Sequence, residues 1–440
     1  MKDAATTIIK TLTSNGFEAY FAGGFVRDKL IGRDSDDIDI ATSATPDEVE
    51  KLFENTFSVG KKFGVIVVVI DEKNYEVTTF RKESEYQDMR RPSKVEFTDA
   101  KTDALRRDFT VNALFFDPIK DKIIDFTSGQ EDIKKRTIRF IGNPDDRILE
   151  DPLRLIRAIR FKTTLNFQYD NKTFKSVRAN ANQINKVSPE RIRDELNKIL
   201  LSSRRHTAIV ELSESKLLQY IIPEIEALKG VPQPVEYHHE GDVFTHTYLV
   251  LKSLPDKSDL RLCWAALLHD IGKPPTIIRE GDRIIFHDHA QKSTEMTKDI
   301  FSRLRFSKTD TDAVLFLVEN HMRVAQLDQM RPGKRLALLT NPQIDDLVAL
   351  VEADQRGTLP YDPSFVDDLK QQVVNARKLQ SKNNKKQDKI IDGDILIKMG
   401  FEQGPIIKQI LDDISDMVAQ EKIASQAQAI TYIKEHYGKN

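Results

Sequence analysis

A glycine pair and two closely spaced aspartates near the start of the chain have the residue types of a phosphate and metal site. Gly23-Gly24 precedes Asp37 and Asp39 by about a dozen residues. Two side chains at i and i+2 on a strand point to the same face, and paired carboxylates suit Mg²⁺. Glycines after a strand let backbone N–H groups approach a triphosphate. The pattern predicts two-metal phosphoryl-type chemistry, with Asp37 and Asp39 as the catalytic ligands.

Two further positions extend this candidate site. Arg107 and Asp108 lie in the segment 106–113, Arg-Arg-Asp-Phe-Thr-Val-Asn-Ala, which also contains Asn112. A surface ion pair is the simpler interpretation of Arg107 and Asp108 taken alone. Glu76 lies on a predicted strand and is the candidate for a third carboxylate, although an exposed strand residue would look the same in the sequence.

The stretch 147–160 places a carboxylate beside guanidinium groups. On a continuous helix Glu150, Arg154 and Arg157 share one face, and Asp151 is a neighbour of Arg154. An Asp–Arg pair offers a hydrogen-bond acceptor beside rigid donors, which complements the edges of cytosine and adenine. Guanine and uracil would be left with unpaired polar groups, and each such group costs about 1–3 kcal/mol of binding free energy. The stretch therefore predicts base selection without a template, and a structural helix salt bridge is the alternative.

A second set of metal-ligating residues lies in the second half of the chain. Its members are imidazoles and carboxylates on predicted helices, which can converge on a divalent metal in a helical core. They are His246, His269, Asp270, His289, His321 and Asp354. His269-Asp270 ends an apolar run and is followed by Gly-Lys-Pro. We expect His238 and His239, by contrast, to be exposed to solvent.

The elements around these residues change character along the chain. The β-branched run 65–70 and the alternating run 75–80 predict a hairpin in a mixed α and β segment, and helical periodicity begins after Pro144. We predict an α+β head with a small mixed sheet at 1–145, an all-α neck at 146–230, a helical body at 231–365 and a helical tail at 366–440.

Composition bounds the function classes. Hydrophobic residues make up 39% of the 440 residues and charged residues 31%, which is typical of a folded protein. The net charge is −2, yet residues 136–205 hold 16 Lys or Arg against 8 Asp or Glu, a local excess of 8 positive charges. This segment is either a phosphate-contacting face or a set of solvated helix faces. Cys263 is the one cysteine, and no apolar run would span a bilayer, so we expect a cytoplasmic protein without a membrane partner.

The blocks at 23–42, 60–65 and 106–113 together resemble the heads of class II tRNA nucleotidyltransferases and bacterial poly(A) polymerases, in the polymerase-β superfamily. The resemblance implies a polymerase-β-like head with Mg²⁺, in which Arg107 and Asp108 contact the sugar and phosphates of the nucleotide. It implies that Asp151 and Arg154 read the base, that Glu150 orients them, and that the text at 188–196 braces their helix. The nucleotide-binding set it implies is Gly24, Arg27, Arg107, Asp108, Asn112, Asp151, Arg154, Arg157 and Arg160.

Two other segments resemble parts of the same family. The charged text at 81–92 predicts a mobile loop and resembles the loop of members that add the terminal A. The order of His246, His269-Asp270 and Asp354 resembles the HD phosphohydrolases, with His289 and His321 as ligands for a second ion. This implies a divalent transition metal and phosphatase or 2′,3′-cyclic phosphodiesterase activity, and a domain that serves only as a structural body for RNA is the alternative. The tail resembles RNA-contacting helices.

We therefore expect an enzyme that adds C, C and A to tRNA from CTP and ATP, with no DNA partner. The alternatives are an A-adding enzyme or poly(A) polymerase with the same head, and a bifunctional enzyme with HD phosphohydrolase activity. Two others are a phosphohydrolase whose head only binds RNA and a noncatalytic RNA-binding protein.

Overall fold

The computed structural model describes residues 2–34, 38–86, 92–234, 236, 238–281, 283–384 and 390–438. Asp37 and residues 87–91 of the predicted loop lie outside these residues. The chain forms two compact units, Met1–Pro223 and Glu224–Asn440.

A mixed sheet of seven strands forms the centre of the first unit, in the order β3-β4-β5-β2-β1-β8-β9. The strands are β1 (Ala19–Ala22), β2 (Asp39–Thr42), β3 (Thr56–Gly60), β4 (Val65–Ile70), β5 (Lys73–Thr79), β8 (Leu114–Asp117) and β9 (Lys122–Asp125). β2 and β5 are parallel, and the other neighbours are antiparallel. The predicted hairpin is confirmed as β4 and β5, and Ile66, Val67 and Val68 of β4 with Val77 of β5 bury their side chains in the core.

Helices surround this sheet and continue the first unit. Those around the sheet are α1 (Lys2–Ser14), α2 (Gly24–Leu30), α3 (Pro46–Leu52), α4 (Ala100–Leu105) and α5 (Gly129–Lys134). Those that follow are α6 (Pro144–Glu150), α7 (Arg154–Leu165), α8 (Asn171–Ala179), α9 (Pro189–Leu200), α10 (Arg205–Glu214), α11 (Leu218–Ile221) and α12 (Pro223–Glu226), which ends in the second unit. Short 3-10 turns occur at Lys61–Phe63, Thr110–Asn112 and Ala181–Lys186, and β10 (Thr137–Ile138) pairs with β11 (Gln168–Tyr169).

The predicted continuous helix over 147–160 is wrong at its middle. Helix α6 ends at Glu150 and α7 begins at Arg154, while Asp151 has an extended backbone with φ −145° and ψ 99°. Pro152 explains the break, because the proline ring disfavours the helical conformation of the residue before it. Asp151 therefore lies at a joint between two helices, and Glu150, Arg154 and Arg157 do not share one straight helical face.

The predicted loop at 81–92 is also wrong where the structure describes it. β6 (Arg81–Tyr86) and β7 (Pro92–Phe97) form an antiparallel two-stranded sheet, in which Lys82 faces Glu96 and Arg81 faces Phe97. Charged side chains tolerate a strand exposed on both faces, and opposite charges across a pair stabilise it. The charge that suggested a loop is compatible with this hairpin.

The second unit consists mostly of helices. They are α13 (Val243–Ser253), α14 (Leu260–Leu268), α15 (Lys273–Thr276), α16 (His289–Arg303), α17 (Lys308–Asn320), α18 (Pro332–Leu339), α19 (Ile344–Gly357), α20 (Ser364–Asn384), α21 (Gly393–Lys398), α22 (Pro405–Ala419) and α23 (Gln426–Tyr437), with a 3-10 segment at Arg323–Gln329. A hairpin of β12 (Ile277–Glu280) and β13 (Arg283–Phe286) interrupts them, although the sequence predicted helices throughout. None of the helices in the described ranges has the length and apolar character needed to cross a membrane. The predicted class, an α+β head with a helical remainder, is confirmed.

Candidate functional site

A cleft of about 430 Å³ in the first unit collects most of the predicted head residues. It is lined by Gly23, Gly24, Arg27, Asp39, Arg106, Arg107, Asp108, Asn112, Asp151, Arg154, Arg157, Arg160 and Phe161. These residues come from four parts of the chain, namely the β1–α2 junction, the start of β2, the segment between α4 and β8, and the joint and first turns of α7. Six arginines face three aspartates here, so the cleft suits a polyanion.

Gly23 and Asp39 lie side by side because β1 and β2 are paired, with Ala22 opposite Asp39. Gly23 has φ 65°, and a Cβ there would lie 3.0 Å from Arg107 Nη1 and 3.9 Å from Asp39 Oδ2. A side chain at this position would be strained and would occupy the space between a carboxylate and a guanidinium. Gly23 therefore leaves room for a ligand at the floor of the cleft.

A buried carboxylate and an asparagine fix the arginines of this floor. Arg27 donates to Asn112 Oδ1 at 2.6 Å and pairs with Asp28 through two hydrogen bonds of 2.9 Å. Arg107 donates to the Asn112 carbonyl at 3.2 Å, and its Nη2 lies 3.1 Å from Asp103. Asp103 is buried and also binds Arg106. The sequence predicted no role for Asp103 or Arg106, although Asp103 precedes Arg106 by three residues and Arg107 by four, which is helical spacing.

Asp108 joins the head segment to α7. Its Oδ2 lies 2.5 Å from Arg157 Nη2, and its Oδ1 accepts from the backbone N–H of Phe109 at 2.8 Å and from Asn112 at 3.2 Å. Burial alone would raise the pKa of Asp108, but Arg157 and these hydrogen bonds outweigh it and lower the pKa to about 2. Asp108 is therefore an ionised carboxylate that orients Arg157.

This lowered pKa predicts a pH-dependent contribution to stability. Because the folded-state pKa lies below the unfolded value, the stabilisation is present above about pH 4 and is lost as pH falls through about 2, for a total of roughly 2 kcal/mol. We expect the gap in unfolding free energy between the wild type and Asp108→Asn to shrink by that amount over this window. Denaturant unfolding at a series of pH values measures it, and a gap that does not change with pH would contradict it.

Asp151 and Arg154 both line the cleft but do not pair with each other. Asp151 Oδ2 accepts from Arg191 on α9 at 2.8 Å, and its Oδ1 accepts from the Leu153 N–H at 3.1 Å. Arg154 is buried and donates to Glu150 at 2.7 Å. Glu150 thus contacts Arg154, the residue that the family resemblance implied it orients, while Asp151 is held from α9, the helix formed by the segment that the resemblance implied braces this region.

Arg160 and Phe161 complete the wall formed by α7. Arg160 Nε lies 3.0 Å from the buried Glu195 of α9, and its guanidinium lies 4.2 Å from the centroid of the Phe161 ring. Arg27 and Arg157 also lie over this ring, at 5.4 and 5.2 Å. Phe161 thus packs against three cations of the cleft. Phe161 could not be predicted as a cleft residue from the sequence, apart from its position on the same helix.

Glu76 is not among the residues that line the cleft. The parallel pairing of β2 with β5 sets Ile40 opposite Val77, and both side chains are buried. Because side chains alternate along a strand, Asp39 and Glu76 share the opposite face. Glu76 is exposed, so its part as a third carboxylate stays a prediction.

The structure brings together all six predicted ligand residues of the second unit. His246 Nε2 lies 2.9 Å from Asp354 Oδ1 and 3.4 Å from His269 Nε2. Asp270 Oδ2 lies 3.2 Å from His269 Nε2, and its Oδ1 lies 3.4 Å from His289 Nε2 and 3.9 Å from His321 Nε2. These six residues form two groups able to hold a metal ion, His246 with His269 and Asp354, and Asp270 with His289 and His321, and a third group consists of His238, Glu240 and His246. Asp270 lies between the first two.

Backbone carbonyls orient three of these imidazoles. His269 Nδ1 lies 2.9 Å from the Ala266 oxygen, His321 Nδ1 2.7 Å from that of Val318, and His289 Nδ1 3.3 Å from that of Phe286. A carbonyl only accepts, so each Nδ1 carries a proton and Nε2 is the ring nitrogen that faces the centre. This arrangement is typical of metal-binding histidines.

The electrostatics of this centre fit a divalent cation. Burial lowers the pKa of His269, but Asp270 and Asp354 outweigh it and raise that pKa. Burial and the neighbouring His269 lower the pKa of His321 to about 4. His289 Nε2 is buried and makes no hydrogen bond to the residues that the structure describes. The carboxylates thus require positive charge while two imidazoles stay neutral, as metal ligands do.

Three residues near this centre had no predicted part. Lys273 is buried, with its Nζ 2.7 Å from both Asp270 Oδ2 and Gln233 Oε1. His238 was expected to be exposed, but it is half-buried and contacts the buried Glu240, whereas His239 is exposed as expected. Burial raises the pKa of Glu240, but hydrogen bonds from His246 and His238 lower it to about 2. These contacts depend on tertiary packing, which spacing alone does not reveal.

A cleft of about 550 Å³ opens onto this centre. Its polar lining includes His238, Asp270, Lys273, Arg283, His289, His321 and Asp354. Ile284, Ile285 and Phe286 of β13 form an apolar wall. The cleft therefore combines metal-ligating groups, two cations and an apolar surface.

Known proteins resemble this chain over most of its length. Residues 19–139 match the family described as Poly A polymerase head domain, 166–229 the probable RNA and SrmB-binding site of polymerase A, and 236–355 the HD domain. The CCA-adding enzyme of Bacillus pumilus is 38% identical over 337 residues, 76% of this chain and 78% of that protein. The CCA-adding enzyme of Ligilactobacillus salivarius is 32% identical over 437 residues, 95% and 97% of the two chains.

A solved structure shows the same architecture. The crystal structure of the Bacillus stearothermophilus CCA-adding enzyme in complex with CTP superposes with a TM-score of 0.73 at 25% identity, covering 99% of this chain and 98% of the other.

Proposed function

This chain belongs to the family of CCA-adding enzymes, which are nucleotidyltransferases, and we propose that its first unit adds C, C and A to the 3′ end of tRNA from CTP and ATP. The observation that carries the proposal is the single cleft that combines Asp39, the bare backbone at Gly23 and six arginines with Asp151 and Arg154 on its wall. The cleft supports a nucleoside triphosphate as its ligand.

The floor of the cleft is the proposed place of phosphate chemistry. Asp37 and Asp39 would hold Mg²⁺, which when bound supplies activation of the attacking 3′-hydroxyl and charge stabilisation at the leaving pyrophosphate. Asp37 enters on its sequence spacing alone. Arg27 and Arg107, fixed by Asn112 and Asp103, would bind the phosphates and hold the α-phosphate in line with the hydroxyl.

The wall of the cleft is the proposed place of base selection. Asp151 would accept from the exocyclic amine of cytosine or adenine, and Arg154 would donate to the neighbouring ring nitrogen. Arg191 and Glu150 hold these two side chains in place, so the reading groups are preorganised. Asp108 would hold Arg157 beside the nucleotide, and Arg160 on Phe161 would extend the basic wall toward the RNA.

Incorporation into a tRNA that ends before CCA tests this function. CTP alone should extend the tRNA by two residues, and CTP with ATP by three. Extension by ATP alone into a long tail, without C incorporation, would contradict CCA addition and favour a poly(A) polymerase.

The geometry of the second unit favours a second activity, hydrolysis of phosphate esters. The two ligand groups joined by Asp270, the buried Lys273 and the open cleft support a divalent transition metal that would activate water beside a bound phosphate. RNA ends carrying a phosphate or 2′,3′-cyclic phosphate are the proposed substrates.

We expect Asp270→Ala to abolish this hydrolysis and to leave C and A incorporation unchanged. Asp270 belongs to one ligand group, lies 3.2 Å from His269 of the other, and is part of the second compact unit. Phosphate release from a tRNA with a 3′-terminal phosphate, measured beside incorporation on the same preparations, checks both outcomes. Hydrolysis retained by the variant would contradict the assignment of the centre.

The location proposed for this protein is the cytoplasm. The support is the single cysteine of the sequence, Cys263, which is buried and reduced.

A further inference from the structure

We propose that Glu240 is a positioning residue of the second unit, which holds His246 for a metal ion and His238 for the substrate through one carboxylate. This inference rests on the proposed metal centre. The family resemblance and the sequence pattern assigned no part to Glu240 or His238.

The carboxylate of Glu240 is a shared anchor. Its side chain is fully buried, and its Oε1 lies 2.6 Å from His238 Nδ1 and 3.2 Å from His246 Nδ1. The other oxygen accepts from the backbone N–H of Leu359 at 3.1 Å. Two imidazoles on one oxygen of a carboxylate that is itself tied to the backbone leave both rings little freedom to turn.

The contact with Glu240 determines what His246 offers to the centre. The 3.2 Å contact places the carboxylate on the Nδ1 side of the ring, although its angle is not that of a hydrogen bond. A carboxylate on that side favours the proton on Nδ1, which leaves the Nε2 lone pair for a metal. The Nε2 atom of His246 is the one that faces Asp354 and His269. A third ion held by His238, Glu240 and His246 would take the Nδ1 lone pair and compete with ligation at Nε2 of the same ring. Although these three residues lie close enough to hold an ion, the arrangement therefore favours a carboxylate that orients the two rings over a third metal site.

The same carboxylate turns His238 toward the cleft. The ring of His238 lines the cleft beside Lys273 and Arg283, and it meets the His246 ring edge to face with centroids 5.5 Å apart. Because Glu240 holds Nδ1, Nε2 is the atom that remains for a ligand. His238 is thus placed to contact a phosphate bound next to the metal ligands.

Co²⁺ titration of the full chain, followed by its absorption spectrum, separates positioning from simple stability. We expect Glu240→Gln to weaken Co²⁺ binding about 10- to 100-fold, as losses of such outer partners do. We expect His238→Gln to bind Co²⁺ within about threefold of the wild type but to hydrolyse p-nitrophenyl phosphate at least about tenfold more slowly. Asp242→Ala is the matched control, because Asp242 caps α13, the helix of His246, without touching its ring.

Each outcome of this comparison decides the proposal. Asp242→Ala should lower the melting temperature with unchanged Co²⁺ affinity, and a Glu240→Gln variant that behaves the same way would overturn the positioning role. If Glu240→Gln does not fold, Glu240→Asp, whose shorter carboxylate cannot reach both rings, must show the loss. A wild type that binds Co²⁺ without hydrolysis refutes the hydrolase alone, since affinities still test Glu240. A wild type that does not bind Co²⁺ refutes both.

Discussion

Replacing Asp39 with asparagine should reduce incorporation of C and A into tRNA by about 10³-fold or more. A lost metal ligand removes several kcal/mol of transition-state stabilisation, and each step of about 1.4 kcal/mol is a factor of ten in rate. Asparagine has the same shape, and Asp39 lies at the start of β2 on the cleft side of the sheet. Single-turnover incorporation from saturating CTP and tRNA measures the chemical step.

Asp71→Asn is the matched control for this prediction. Asp71 is an exposed residue of the turn between β4 and β5 with φ 51°, a conformation that asparagine adopts readily. The Asp71→Asn variant removes one negative charge from the same sheet at a residue that does not line the cleft, so its incorporation rate should equal that of the wild type. An Asp39→Asn enzyme that retains a tenth or more of the activity would remove Asp39 from the catalytic site.

Replacing Asp151 with alanine should lower kcat/KM for CTP and reduce the preference for CTP over UTP, each by about 10- to 100-fold. One hydrogen bond to the cytosine amine, worth about 1–3 kcal/mol, is lost, and the carboxylate no longer repels the carbonyl oxygen of uracil. Steady-state rates with both nucleotides on a tRNA that ends before CCA measure the preference.

Arg191→Gln tests whether the ion pair or the base contact is responsible. This variant removes the arginine of the 2.8 Å ion pair between Arg191 and Asp151 and keeps the Asp151 carboxylate. If Asp151 reads the base, this variant loses activity and part of the CTP preference, but less of the preference than Asp151→Ala loses, because the carboxylate remains and is only less firmly held. Equal losses in both variants with an unchanged preference would show that Asp151 serves only to join α7 and α9.

Several features of the fold could be predicted because the local amino-acid sequence determines them. The β-branched run of β4 and the alternation of β5 specify a hairpin, and the glycine pair before Asp39 specifies a bare backbone at the floor of the cleft. The six histidines and aspartates of the second unit could be predicted as a set because ligating residue types recur on helices, although their distances could not.

Other features depend on contacts between distant segments. Asp151 pairs with Arg191 rather than Arg154, since Pro152 turns the chain before the helix continues. The strands at 81–86 and 92–97 stabilise each other by pairing, whereas their charged composition predicted a loop. The contacts of Glu240 with Leu359 and His246, and the position of His238 beside Glu240, form only in the folded chain. Spacing along the chain holds no information on such partners.

The joint at Asp151 has a consequence for how this enzyme can diverge. The carboxylate proposed to read the base lies between two helices and is held by Arg191. Its position therefore depends on how α9 packs against α7. If Asp151 reads the base, nucleotide preference depends on the packing of α9 against α7. Substitutions on the buried face of α9 should shift the accepted base while every cleft residue stays the same, and a directed-evolution library for altered preference should include them.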